Sequence, residues 1–223
     1  MPIREKDGSP FSRMGASRTM RSMTETVPAE PLEPAAPPAP GAEQYPALDL
    51  ANSAIDLPGG HTLDLLRSPA DANRWLAERG LAPADAGLRE VCAAQLRSLR
   101  EQIRALIASR VDGHPAPAGA LAAVNEAMTR APATAPLHWD ATHGLHRAAT
   151  HPTTRILEHA LATLAADAAD LLTGPDAGRL TACGSPPCSR YLLRHGRRQW
   201  CSTRCGDRAR AARAYARRTG RDA

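Results

Sequence analysis

The chain has 223 residues and a mass of 23.7 kDa, room for one medium domain or one domain plus a small module. No stretch approaches the ~18 consecutive apolar residues of a membrane helix, and the start of the chain alternates Arg, Ser, Thr, Met and Glu without the apolar core of a secretory signal. Five Cys are too few, and odd in number, for a disulfide scaffold, and with no export signal in view a cytoplasmic protein is expected. The net charge of +5 hides an asymmetry. Residues 179–223 hold 12 Arg against Asp207 and Asp222, for +10; residues 47–178 hold 11 basic and 15 acidic groups, for −4; residues 1–46 hold five and six, for −1. Basic charge confined to the last fifth of the chain is the pattern of a nucleic-acid-binding module attached to a neutral-to-acidic body. Only seven residues are aromatic (Phe11, Tyr45, Trp75, Trp139, Tyr191, Trp200 and Tyr215), which leaves few rings for stacking single-stranded bases.

Residues 1–46 carry nine of the 20 prolines, and 27–46 read VPAEPLEPAAPPAPGAEQYP. Such a segment buries too little apolar surface to offset its conformational entropy, so a disordered, polyproline-like tether is expected. Order begins at Ala47, where Leu48-Asp49-Leu50-Ala51-Asn52-Ser53 is a short strand or a first helical turn; Asp49 and Asn52 read as cap or turn residues. Ser68-Pro69 is an N-cap followed by a first-position proline, and Gly80 closes that helix, with Trp75 and Leu76 buried. The next helix, about 86–110, repeats Leu88, Val91, Cys92, Leu96, Leu99, Ile103, Leu106 and Ile107 at spacings of three and four. Cys92 on that stripe reads as a buried small hydrophobe. A third helix runs about 118–130, with Leu121, Val124 and Met128 on one face. Residues 137–149 suggest a β-hairpin turning near Thr142-His143-Gly144. A final body helix, about 153–173, is stopped by Gly174 and Pro175. The expected fold is mainly α: a helical body over 47–178 with a small β-hairpin, and a small C-terminal zinc-binding ββα-like module over 179–219.

Cys183, Cys188, Cys201 and Cys205 form C-x4-C…x12…C-x3-C. Two close pairs separated by a hairpin-length insert suit a tetrahedral thiolate site, each knuckle bringing two sulfurs to one metal at ~2.3 Å. Four thiolates leave no open position for water, so one structural Zn2+ is expected and catalysis at the metal is not. Tyr191-Leu192-Leu193 and Arg197 to Trp200 read as two strands turning at His195-Gly196, with Tyr191 and Trp200 over the metal core. A segment of about 45 residues with so few large side chains needs the metal to fold, and zinc contributes on the order of 10–16 kcal/mol in small fingers. Because the body has a core of its own, loss of the metal is expected to unfold only the tail.

Ser202 reads as the N-cap of an Ala- and Arg-rich helix from Thr203 to Arg218. Arg210, Arg213 and Arg217 share a face at spacings of three and four, expected to point away from the zinc hairpin. Arg204 and Arg208 extend the basic surface towards the metal; Arg197, Arg198 and Arg218 add to it. Double-stranded DNA is the expected partner, with Arg on phosphates and one or two guanine edges. Another nucleic acid or an acidic protein partner remains open.

The tail resembles the CGNR zinc finger in Trp200-Cys201-Ser202-Thr203-Arg204-Cys205-Gly206-Asp207-Arg208. The body resembles the ABATE domain that accompanies that finger: Leu48-Asp49-Leu50-Ala51-Asn52-Ser53 is similar to its opening motif, and the Trp75 and Leu88 helices follow in the expected order. The resemblance spans roughly 47–218. It implies a bacterial transcriptional regulator in which the four cysteines hold zinc and the basic helix meets DNA. Asp207 stands where the signature has Asn, the second knuckle has three intervening residues instead of the commoner four, and the hairpin is shorter than in many members. A carboxylate only accepts hydrogen bonds and repels phosphate, so Asp207 is expected to face Arg208, Arg210 or the knuckle amides.

His138, His143, His146 and His151 form a row without a carboxylate or Cys partner at fixed spacing, and read as surface or core histidines. His195 is exposed or meets phosphate. No GxSxG, HExxH, P-loop or dinucleotide fingerprint is present, so no enzyme is expected. The body is assigned to sensing a small-molecule effector or to homo-oligomeric assembly by analogy alone. A zinc-stabilised protein-interaction module without DNA binding is the second reading.

Overall fold

A computed structural model describes residues 37–131, 137–147 and 155–220. The stretch of the tether before Pro37, the start of the last body helix and His151 lie outside the described residues.

The elements follow the sequence periodicities closely. α1 (Pro46–Ala51) leads into a two-stranded ribbon, β1 (Ala54–Asp56) with β2 (Thr62–Asp64), in the register Ile55↔Leu63. α2 (Pro69–Glu78) opens as the Ser68-Pro69 signal requires, the Ser68 side chain accepting from the Asp71 N–H. α3 (Glu90–Asp112) and α4 (Ala118–Thr129) form the long pair, joined at Gly113 in the left-handed conformation. β3 (Leu137–Asp140) and β4 (Gly144–Arg147) form the hairpin, with His138 opposite His146. α5 (Ile156–Thr173) ends at Gly174. A single 3-10 turn, Ala177–Arg179, feeds β5 (Leu180–Ala182), which pairs antiparallel with β6 (Tyr191–Leu193), and α6 (Thr203–Thr219) closes the chain. The fold is mainly α, with three two-stranded ribbons among the described residues.

One core gathers α1, α2, α3, α4 and α5. Leu48, Leu50, Leu76, Leu96, Ile103, Ile107, Leu164 and Leu171 are fully buried in it. The inward stripe of α3 is Ala93, Leu96, Ile103 and Ile107, together with Arg100, whose buried guanidinium is held bidentate by Asp64 at 2.7 and 3.0 Å. The helix begins only at Glu90, and Val91, two positions before Ala93, lies on the opposite side from the stripe and is 54% exposed. Leu121 of α4 also faces outward. Cys92 is half-buried and not enclosed. Cys92→Ala should therefore leave zinc content unchanged and cost less than the ~1 kcal/mol of a fully buried methylene-sized loss, as read from a denaturant midpoint. A larger loss would mean that the thiol packs more tightly than its exposure indicates.

Two further expectations fail in the fold. Residues 37–46 are not part of a free tether. Ala39, Ala42 and Tyr45 are buried, the Pro40 carbonyl accepts from the Leu193 N–H at 2.8 Å, and Gly41 at φ +94 lies so close that a Cβ there would come within 2.6 Å of Leu193 Cγ. The proline-rich composition hid this because the contacts are made by backbone and alanines, which carry little hydrophobic signal. Second, Arg197 to Trp200 is not a strand. The partner of β6 is β5, upstream of the first cysteine. The later stretch is instead held by a turn from the Arg198 N–H to the His195 carbonyl and by the Gly184 N–H on the Gln199 carbonyl.

Candidate metal centre and nucleic-acid interface

Strand β5 runs directly into Cys183, so the first knuckle is the connection of the β5–β6 hairpin. The Cys183 N–H donates to the Arg190 carbonyl at 2.8 Å and the Cys188 N–H to the Ser185 carbonyl at 3.0 Å, folding the loop back on itself. The second pair straddles the start of α6. Cys201 precedes the N-cap residue Ser202, whose Oγ accepts from the Cys205 N–H at 3.2 Å. Hairpin and helix end thus face each other and present all four sulfurs to one point.

The four Sγ atoms lie within 4.8 Å of one another, with Cys188–Cys201 and Cys201–Cys205 each 3.6 Å apart. A tetrahedron of sulfurs ~2.3 Å from zinc has edges of ~3.8 Å. Cys183, Cys201 and Cys205 are buried and Cys188 half-buried. Sulfur hydrogen bonds from Cys188 and Cys201 hold the Cys183 thiol down at about 2; the same crowding pushes Cys188 up to about 11 and Cys201 higher still. Four sulfurs so close ionise together only around a cation. The donor set, spacing and burial fit a closed four-thiolate site holding one structural zinc.

Four thiolates around Zn2+ leave two negative charges, and the protein places cations against them. Arg190, 3% exposed, sends one nitrogen to Cys201 Sγ at 3.9 Å and the other to the Pro37 carbonyl at 2.8 Å. Arg208 reaches Cys205 Sγ at 3.3 Å while its other contacts fix Ser185 through Oγ and the carbonyl, at 3.1 and 2.9 Å. Such outer-shell donors orient the ligands and offset their charge. Leu192 packs with Ala39 and the cysteines, while Leu180 and Leu193 belong to the body core. The period-two alternation of one short strand therefore couples the two cores.

The body grips this strand through Asn52, a 2% exposed residue that caps α1. Its side-chain amide donates to the Tyr191 carbonyl at 2.9 Å and its oxygen accepts from the Tyr191 N–H at 2.8 Å, completing a strand edge as a neighbouring strand would. Arg104 adds bonds to the Ala51 and Ser189 carbonyls, at 2.6 and 3.1 Å, and lies 5.4 Å from the Tyr191 ring centre. Tyr191 thus covers the body and not the metal; Trp200 does pack on the metal core. Sequence reasoning missed Arg190, Arg104 and the role of Asn52, because an isolated Arg or Asn carries no periodic signal.

The structure sorts the arginines expected at DNA. Arg208 is turned into the metal centre, and Arg198 donates to the Trp200 and Cys201 carbonyls at 3.1 and 3.5 Å. Arg210 pairs with Asp207, as the carboxylate argument requires. Arg210 and Arg213 do not point away from the zinc module: their guanidinium carbons lie 5.7 and 5.4 Å from the centre of the Trp200 ring. Arg197, Arg204, Arg217 and Arg218 are exposed, with no ion-pair partner among the described residues. Tyr215, 66% exposed, stands on α6 beside them. His195 meets the Arg179 guanidinium, outside the metal set.

The β3–β4 hairpin does bring His143 and His146 near a carboxylate, Asp140, which lies 3.2 Å from His143 Nδ1 and 3.5 Å from His146 Nε2, while His138 lies against the His146 ring, 6.1 Å between centres. Among the described residues, however, only the four cysteines converge as metal ligands do. No helix among them is long and apolar enough to cross a membrane.

Comparison with known proteins agrees with this geometry. The family profile ABATE, described as "Putative stress-induced transcription regulator", matches residues 44–175, more than half of the chain, and the CGNR zinc finger matches residues 179–218. No curated protein matches the chain. The first match begins at the buried segment before α1 and the second holds all four metal ligands, so the chain belongs to the ABATE family and carries a CGNR zinc finger at its C-terminal side.

Proposed function

We propose that this chain is a cytoplasmic DNA-binding transcription regulator, a binding protein and not an enzyme, whose zinc-ordered finger docks on duplex DNA through α6 and the turn before it. The observation that carries this reading is the contrast in how arginines are used. In the body, Arg74, Arg79, Arg97, Arg100, Arg130 and Arg155 each pair with a carboxylate. In the finger, Arg194, Arg197, Arg204, Arg213, Arg217 and Arg218 have no carboxylate partner among the described residues, on a module with one described acid after Arg179, Asp207. Uncompensated guanidinium groups on a rigid support suit phosphate oxygens. The helical body is assigned to effector sensing or homo-oligomeric assembly. A 680 Å³ hollow lined by Asn73, Arg74, Glu78 and Asp85, where Asn73 Oδ1 has no hydrogen-bond partner, is the place to look for a small-molecule effector.

Selection of genomic fragments by the zinc-loaded chain, followed by anisotropy titration on the enriched duplexes, tests the reading. Asp207→Asn is the informative variant, because Asp207 neutralises Arg210 and repels phosphate. Asn should tighten duplex binding about two- to fivefold and steepen its salt dependence. Unchanged or weaker binding would place Asp207 and Arg210 away from DNA. Enrichment of an acidic protein with no duplex enriched would favour the interaction-module reading.

A further inference from the structure

The arginines over Trp200 form a built arrangement that spacing alone does not explain. Trp200 immediately precedes the third zinc ligand and packs on the metal core, so its ring is fixed by the same contacts that fix the cysteines. The next helix approaches that ring at Gly206, where a Cβ would come 3.2 Å from Trp200 Cε3 and 3.3 Å from Arg210 Nη1. Any side chain at 206 would require the indole or the guanidinium to give by a few tenths of an ångström. With glycine there, Arg210 and Arg213, one turn apart, both bring their guanidinium groups to the same ring, at 5.7 and 5.4 Å from its centre. The negative face of the indole attracts each of these cations. Asp207 takes up part of the charge of Arg210, whereas Arg213 donates to the Ala209 carbonyl at 3.3 Å and has no carboxylate partner among the described residues, which leaves its charge for a ligand.

Resting on the DNA-binding reading above, we propose that Trp200 is a positioning residue for DNA: its indole, left bare by Gly206, pre-sets Arg210 and Arg213 as a pair of phosphate ligands, with Arg213 the stronger. Long arginines on a solvent-exposed helix otherwise lose rotamer freedom when they bind; a pair already laid on an aromatic face loses less, and that difference appears as affinity. The zinc site thereby acts on recognition through Trp200, without itself touching nucleic acid.

The test is a double-mutant cycle on the zinc-loaded full chain, read by duplex affinity at matched salt, with zinc stoichiometry and helix content checked for every variant. Trp200→Leu should weaken duplex binding roughly 5- to 30-fold, the product of two exposed cation–π contacts. Trp200→Phe and Trp200→Tyr should recover part of that loss. In an Arg210→Ala, Arg213→Ala background, Trp200→Leu should cost nothing further. A substitution that only loosened the metal core would cost the same in both backgrounds, and that result overturns the proposal, as does wild-type affinity in Trp200→Leu. If Trp200→Leu fails to load zinc, the Phe variant carries the cycle, and equal losses in the two backgrounds again overturn it. A wild-type chain that binds no duplex at all would instead remove the DNA-binding reading, and this inference with it; a binding wild type with an additive cycle removes this inference alone.

Discussion

Cys201→Ser should lose the zinc and weaken the body along with the finger. Metal content falls from one per chain to none, because a three-sulfur set leaves the tetrahedron open and Cys201 lies 3.6 Å from both the Cys188 and the Cys205 sulfur. The sequence suggests that only the tail then unfolds. The structure indicates a wider effect, because Leu180 and Leu193 lie in the body core and Asn52 spends both halves of its buried amide on Tyr191. Withdrawing one large aliphatic side chain from a packed core costs about 2–5 kcal/mol, and orphaning a buried amide costs ~1–3 kcal/mol. These terms do not add simply, but even one is a large part of the stability of an ordinary domain. Calorimetry of the full chain should show the body transition shifting down by several degrees on chelation, with exchange protection lost in α1 and α3. Full zinc occupancy in a Cys183→Ser, Cys188→Ser double variant would refute the site. An unmoved body transition would refute the coupling.

Replacing Arg210, Arg213 and Arg217 together by Ala should abolish most duplex binding while the fold stays intact. Ala keeps helix propensity, the four cysteines are untouched, and Arg190 and Arg208, which serve the thiolates, remain. Each phosphate left without its arginine should flatten the log–log salt slope by ~0.9, and any base read by one of the three should become less discriminated, at ~1–3 kcal/mol. Arg208→Ala should behave differently and release zinc more readily, because its donors fix Ser185 and Cys205. If the triple variant holds its best genomic sites as tightly as wild type, at equal salt and zinc loading, α6 does not touch the DNA.

The parts legible in the sequence are those with a period or a fixed spacing. The four cysteines, the Ser68 and Ser202 caps and the α3 stripe from Leu96 to Ile107 can be placed by counting, and the structure puts each where the count does; the counted start of that stripe, Leu88, Val91 and Cys92, is not matched, because the helix begins only at Glu90 and Val91 lies off its buried face. The β-hairpin near Gly144 is readable from its alternation and turn residue. What escapes depends on pairings between distant residues. Nothing in the run Tyr191 to Leu193 says that it pairs upstream with Leu180 to Ala182 and not downstream, since either ribbon satisfies a two-residue period. Asn52 and Tyr191 are 139 positions apart, and Arg190 meets Pro37 across 153. Burial of Ala39, Ala42 and Tyr45 is hidden by a composition that reads as disorder, because backbone carbonyls and alanines do much of the packing. The arginines fall on a helix as their spacing requires, but their split into metal-facing, tryptophan-facing and free sets is a tertiary property.

The central claim, that zinc orders a cationic surface for duplex DNA, is tested most directly by the salt dependence of binding with and without the metal. The zinc-loaded chain titrated on an enriched genomic duplex should give a log–log slope of about −3 to −5, as expected for four or five neutralised phosphates at ~0.9 each, and the chelated chain should lose that binding. A slope near zero, or binding that survives removal of the zinc with its slope unchanged, would contradict the account.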